Sequence, residues 1–491
     1  MRLRPIAVVP ALVALTFILL LALLYSSTYF FVFDDTALLA VARDSSIEHL
    51  LARQTMGFWR PAGMLTHKLN LELFGWESAG WFSVLGIAIH AASALLILRL
   101  ALRLGFGNFA STVAFMMFLA SPWATEALMW MSAQFDVFAV FFMLVALNAV
   151  DSFVRASNQA MRLLALLVMS SAFTISLLYK ENAVVAFIFT TLIAWRINHL
   201  NTKTRNWMPV LTVGATSLAL TLTFVLVRNQ IMDGLNGPYG SLASMWEGRD
   251  LRANAITYLD SLSSLFSRLP NNIQPLAVAF LLFVVLSLAA SFRRPGTALV
   301  LLGSLAITLL PTLWSGVSAE TTVASRFTYL PGVVWALTVG FGSGQLWEWL
   351  SSLDRGTLRT TMRTLWCGLT AMALTSAMVA TLYQSQWWRF AVNSGRLVVD
   401  FTVASSNADT SCIYVTNLPS GTFEGPHVLK SYNLSHHFAA RGLPTPAFRS
   451  DHVVISRFDG LVSIPQPEGF SEQCTDPSEL AITLPLDQLR P

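Results

Sequence analysis

The sequence predicts a polytopic α-helical membrane protein of about eleven transmembrane helices, followed by a small soluble β or α/β domain. Three observations carry this. Of 491 residues, 54% are hydrophobic and only 12% charged, with a mean hydropathy of +0.58, where a soluble domain carries about 25% charged residues. Apolar runs recur through residues 1–386 at the length that crosses about 30 Å of hydrocarbon. Lys and Arg collect in the connections on one side of that threading, which sets its orientation.

Arg2 and Arg4 precede an apolar run from Ile6 to Phe31. The run is longer than a signal-peptide core and no A-x-A site follows, so it reads as a retained first helix with a cytoplasmic N-terminus. A polar first outer loop spans residues 34–80, with a short helix expected over Ser45 to Ala52 and breaks at Gly57, Pro61 and Gly75. It is too long for a connector and carries Asp34, Asp35, Arg60 and His67. Further spans are expected near 81–103, 108–122, 125–150, 161–179, 182–198, 208–228, 272–291, 297–315, 327–346 and 364–384.

Between them, the cytoplasmic connections hold Arg99, Arg103, Arg155, Arg162, Arg196, Lys203, Arg205, Arg293, Arg294, Arg355, Arg359 and Arg363, whereas the short outer connections hold only Lys180 and Arg326. An outer loop at 229–270 contains an amphipathic stretch, Leu251 to Leu269, with Ile256, Leu259, Leu262, Leu265 and Phe266 at helical spacing. It suits a helix lying in the membrane interface or a small lid. Residues 387–491 change character to Pro and Gly punctuation and short β-like runs, which predicts a C-terminal soluble domain on the same side as Asp34. Cys412 and Cys474 both fall there, and their pairing is left open.

The candidate functional residues are charges on the outer face. Asp34 and Asp35 are adjacent carboxylates just past the first span, and they alone could share a divalent ion; no His, Asp and Glu group at ligand spacing indicates a metal centre. Glu126 follows SPWAT, and Asp136, ten residues on, is expected about 15 Å deeper along one helix. Lys180 and Glu181 sit in LLYKENAVV, and Arg326 opens RFTYLPG with Tyr329 following. Singly, each has a plainer reading as a snorkelling or helix-packing group. Together with Arg60 they bring three cations and several carboxylates to one face, a set suited to an anionic lipid-linked substrate. His90, inside a span, reads as a helix-packing residue. The net charge of +4 is spread in small groups and gives no nucleic-acid footprint.

The stretches FVFDDTALL at 31–39, WRPAGMLTHKLNLELFG at 59–75, AIHAASALL at 88–96, SPWATEALMWMSAQFDVFAVFF at 121–142, YKENAVV at 179–185 and SRFTYLPG at 325–332 resemble the GT-C glycosyltransferases. Within that class the resemblance is to the protein O-mannosyltransferases and the related transmembrane O-mannosyltransferases with tetratricopeptide repeats, here without the repeats. It implies sugar transfer from a polyprenyl-phosphate donor to a hydroxyl acceptor, a protein or an envelope glycan, with inversion. It also implies that Asp34 and Asp35 are the catalytic acidic pair and that Arg60, Lys180 and Arg326 contact the lipid phosphate. Glu126, Asp136, Glu181, His67 and Tyr329 are expected to line the same substrate site. The expected setting is a bacterial inner membrane with the C-terminal domain in the periplasm, the endoplasmic reticulum being the alternative. The rival from another class is a transporter or flippase of a lipid-linked sugar, although no paired repeats with interrupted spans are found.

Overall fold

The structure is a computed structural model that describes residues 31, 35–54, 57–76, 78–201, 207–232, 250–269, 271–313, 325–354 and 356–405, parts of 10–21, and six short strands after residue 411. It is mostly helical. Among the described residues, nine helices are long and apolar enough to cross a membrane.

The first outer loop is largely helical: α1 (Asp35–Asp44), α2 (Ile47–Ala52) and α3 (Pro61–Phe74). The short helix expected near residue 45 is α2, capped by Ser46, whose hydroxyl accepts from His49 N at 3.2 Å. The bundle follows as α4 (Ala79–Arg103), α5 (Asn108–Leu119), the short α6 (Thr125–Met129), α7 (Gln134–Arg155), α8 (Gln159–Tyr179), α9 (Ala186–Asn201) and α10 (Met208–Ile231). Then come α11 (Leu251–Ser263), α12 (Gln274–Ser291), α13 (Pro295–Leu309), α14 (Tyr329–Ser351) and α15 (Gly356–Ser405). Short connections make successive long helices alternate in direction, so the turns after α5, α8 and α13 and the turn before α14 share one end of the bundle.

α14 forms the core of the packing. From Tyr329 to Gln345 nearly every residue is buried, and the run Gly340, Gly342, Gly344 explains how neighbours approach so closely. A Cβ at Gly340 would lie 2.6 Å from the Cβ of Ala114 on α5, one at Gly344 would meet Ala110, and one at Gly342 would collide with the carbonyl of Ser287 on α12. Small residues at this spacing let helix backbones touch where lipid supplies no hydrophobic drive. α14, expected as a span near 327–346, is thus enclosed by its neighbouring helices along most of its length.

One expectation changes in detail. Glu126 and Asp136 do not lie on one helix, because the chain is extended at Trp130 (φ −99°, ψ 116°) and turns through Met131–Ala133. Asp136 therefore opens α7 at the same end of the bundle as Glu126 and is not 15 Å deeper. Beyond the membrane-length segment Gly356–Gln386, α15 continues as one helix to Ser405, and the described strands begin at Cys412. Those strands form two three-stranded sheets, β3-β1-β6 and β2-β4-β5, from β1 (Cys412–Val415), β2 (Leu418–Thr422), β3 (Ala447–Arg449), β4 (His452–Arg457), β5 (Gly460–Pro465) and β6 (Ala481–Ile482). Cys474 lies outside the described residues.

Within the outer loop at 229–270, α11 is the amphipathic segment. Leu262 and Leu265 are fully buried while Ile256 and Leu259 are 58% and 43% exposed. Apolar side chains displayed on an outer-loop helix suit a position in the bilayer interface.

The glycine contacts yield a stability test. Gly342→Ala should destabilise by about 1–3 kcal/mol, because the α12 backbone cannot yield to a methyl group. Gly303→Ala, with open space around the new carbon, should leave the protein as stable or slightly more so. Thermal unfolding of both variants in detergent checks the contrast, and equal melting temperatures would contradict the packing.

Candidate functional site

The shared end of the bundle gathers ionisable groups from segments far apart in the chain. Arg60 precedes Pro61, and the residue before a proline is held out of the helix, so Arg60 caps α3 and projects from its start. Its neighbour Trp59 is buried, donates from Nε1 to Leu51 O at 2.9 Å and stacks on Phe224. Arg60 then grips Glu181 with two bonds, Nε to Oε2 at 2.9 Å and Nη2 to Oε1 at 2.6 Å, in the planar fork geometry that favours arginine.

Lys180 ends α8 in extended conformation, and its ammonium donates to Asp136 Oδ2 at 2.8 Å. Both partners are buried. Arg326 lies in the turn Ser325–Thr328, where its Nη1 donates to Glu126 Oε1 at 2.6 Å and its backbone N–H to Oε2 at 2.8 Å. The three pairs form one cluster. The Lys180 ammonium lies within electrostatic reach of Arg60, Asp136, Glu181 and Arg326. The Phe327 ring sits under both Arg326, at 4.7 Å, and Lys180, at 5.8 Å.

Asp35 joins this cluster from α1. It is fully buried and accepts from Ser132 N at 2.8 Å and Ser132 Oγ at 2.6 Å. Ser132 is two residues from Trp130, whose ring covers the Arg326 guanidinium at 4.8 Å. Asp35, Glu126 and Asp136 each occupy the first turn of their helices, where the N-terminal end of the macrodipole favours a carboxylate. A recess beside Lys180 and Asp136 is further lined by Ser176, Asn182 and Leu330.

Of the residues expected from sequence, Arg60, Lys180, Arg326, Glu126, Asp136, Glu181 and Asp35 come together. Asp34 lies outside the described residues, one position ahead of Asp35. Tyr329 is fully buried, lies within electrostatic reach of Asp136 and bonds His90 Nδ1 at 2.7 Å, while His90 Nε2 meets Leu119 O at 3.2 Å, so this pair ties helices together. His67 does not join: its ring lies tilted against Phe135 at 4.8 Å with neither nitrogen hydrogen-bonded among the described residues. Among the described residues no three His, Cys, Asp or Glu side chains gather as a metal site.

Sequence reasoning missed Ser132 and the rings of Trp130, Phe327 and Phe58, the last lying 3.9 Å from the Arg60 guanidinium. A signal was present for two of them, an aromatic residue beside the arginine in FWR and SRF. Ser132 had none, because only the fold brings it to Asp35.

No family model matches the chain, and no curated protein sequence does. Solved structures to which it is similar include ArnT from Cupriavidus metallidurans bound to undecaprenyl phosphate, at 15% identity and a TM-score of 0.45, covering 94% of this chain and 99% of that one. Archaeal oligosaccharyltransferase AglB from Archaeoglobus fulgidus, in complex with an inhibitory peptide and a dolichol-phosphate, is 10% identical with a TM-score of 0.45, covering 88% of this chain and 64% of that one. A further structure of the Archaeoglobus fulgidus oligosaccharyltransferase, with Zn and sulfate, is 12% identical with a TM-score of 0.49, covering 89% and 61%.

Two outcomes are expected. Lys180→Met should cost about 3–5 kcal/mol because it strands the buried Asp136 carboxylate, and adding Asp136→Asn should recover most of that loss; thermal unfolding of the single and double variants measures it. The second concerns pH. Burial pulls the His67 pKa down from 6.5 to about 3, so folding keeps this ring neutral while the unfolded chain takes up a proton below its ordinary value. Its contribution to stability is therefore complete above that value and is lost as the pH falls towards the folded one, by about 1 kcal/mol between roughly pH 7.5 and 5.5. In His67→Phe that part of the pH dependence should vanish from denaturation curves.

Proposed function

We propose that this protein is a membrane glycosyltransferase that moves a sugar from a polyprenyl-phosphate donor to a hydroxyl on a protein or an envelope glycan. The transfer takes place at the non-cytoplasmic face and inverts the anomeric centre. One observation carries the reading: carboxylates and cations from five separate stretches meet at one end of a membrane bundle. They are the residue types the transfer needs.

A hydroxyl is a weak nucleophile. Asp34, ahead of the buried Asp35, is the general base; Asp35, fixed by its two bonds from Ser132, orients the acceptor or sugar. As the acceptor oxygen bonds to the anomeric carbon, its proton passes to Asp34. The bond from that carbon to the phosphate oxygen breaks, and the electron pair leaves with the polyprenyl phosphate. Negative charge then grows on the phosphate, where N–H donors of Arg60, Lys180 and Arg326 stabilise it. The rings of Phe58, Trp130 and Phe327 hold those cations in place and away from bulk water.

The N-terminus lies in the cytoplasm in this reading, with residues 387–491 forming a separate domain on the side of the site. A bacterial inner membrane is the setting that fits, its periplasmic face supplying the acceptors.

Asp34→Asn should lower transfer about 10²-fold or more with unchanged thermal stability and membrane insertion. The assay is labelled polyprenyl-phosphate sugar given to the purified protein with candidate acceptors. Full transfer by the variant would refute Asp34 as base; movement of labelled lipid across the bilayer without any transfer would replace the enzyme with a flippase.

A further inference from the structure

The site's three cations are already matched by Glu181, Asp136 and Glu126, and Asp35 adds a further carboxylate, so the described cluster offers an incoming anion no net positive charge. Binding a phosphate strongly calls for a cation that is not spoken for. Among the described residues, two lysine or arginine side chains are buried, Lys180 and Arg268. They differ in their partners. Lys180 has Asp136. Arg268, only 2% exposed, donates from Nη2 to Ser261 Oγ; Asp260 lies within electrostatic reach, but Nε and Nη1 find no hydrogen-bond acceptor among the described residues.

A buried guanidinium with two unanswered donors is costly. Burial lowers its pKa only to about 10, so it remains a cation at neutral pH. Its place in the fold ties it to the site. Arg268 closes the turn Phe266–Arg268, which touches α12 and α15. Its partner Ser261 lies three residues beyond Tyr258 on α11, about 4.5 Å along the helix axis. Tyr258 donates to Thr312 O at 2.9 Å and lies within electrostatic reach of Arg326, Glu126 and Asp136. α11 also touches the turn that carries Arg326. On the opposite side Ile256, Leu259 and Phe266 are exposed, an apolar rim from which a lipid can approach.

We propose that Arg268 is an anion subsite under α11 that takes the phosphate ester of a lipid entering from the bilayer. Two lipids carry that chemistry, a polyprenyl phosphate and an ordinary anionic phospholipid. The inference rests on the proposed function only in naming the first of them.

The test uses the full-length protein in phosphatidylcholine nanodiscs and follows thermal unfolding. One arm adds undecaprenyl phosphate; the other replaces part of the phosphatidylcholine with phosphatidylglycerol. The wild type should be stabilised, and Arg268→Met should raise the apparent Kd about tenfold or more while its melting temperature without added anion stays equal or rises, since an unmatched buried charge has been removed. Stabilisation in the first arm alone makes the polyprenyl phosphate the ligand; stabilisation by phosphatidylglycerol alone makes it a bilayer headgroup. Arg268→Lys, which keeps the charge and loses the fork, should weaken binding severalfold and serves if the Met variant does not fold. The proposal is overturned if neither lipid stabilises the wild type, or if the variants bind as the wild type does. Because the readout is binding, that failure is distinct from a failure of sugar transfer.

Discussion

A charge held inside a membrane bundle needs a partner, and this requirement shapes the end of the bundle where the ionisable groups gather. Taking an ion out of water costs several kcal/mol unless an opposite charge and hydrogen bonds replace the lost hydration. Here each cation meets its carboxylate across a long stretch of chain: 44 positions separate Lys180 from Asp136, 121 separate Arg60 from Glu181, and 200 separate Arg326 from Glu126. Each pair therefore clamps together segments that the helices alone would leave side by side without a fixed register.

The helices meet this demand by breaking. Continuous spans would carry their carboxylates into the hydrocarbon, but the chain unwinds at Trp130 and at Lys180, so that Glu126, Asp136 and Glu181 all fall in or beside first turns at the same end. Irregular backbone at membrane depth is tolerated where protein surrounds it. The glycine-lined α14 provides that surround, since its contacts with α5 and α12 are too close for any larger residue. A stiff base under a set of unwound turns is a sound arrangement for holding side chains to a fixed geometry.

The electrostatic balance of the cluster bears on its chemistry. With four carboxylates among its described groups and three cations, the site favours the release of negative charge more than its storage, and the aromatic rings lower the local polarity that would otherwise screen each interaction. In the glycosyltransferase reading, the ion pairs do two things at once. They keep the cations compatible with a membrane bundle, and in this reading they hold those cations where a departing phosphate would develop its charge. Matching of this kind also separates Arg268 from the rest: its guanidinium is bonded to Ser261 and feels Asp260 only at a distance, without a direct bond to a carboxylate among the described residues.

The sequence by itself determined the membrane class and the positions of nine spans among the described residues, because apolar length is a local property set by transfer from water to lipid. It also marked Asp35, Arg60, Glu126, Asp136, Lys180, Glu181 and Arg326, since charges are rare in such a composition. The tertiary structure alone decided which cation takes which carboxylate, that Ser132 holds Asp35, that Tyr329 and His90 belong to the core and that Arg268 is buried. It decided as well that the chain breaks at Trp130, which places Asp136 beside Glu126 and not a helix depth below it. The reason is physical: pairing depends on the separation of groups in space, and residues 44 to 200 positions apart acquire that separation only when the helices pack.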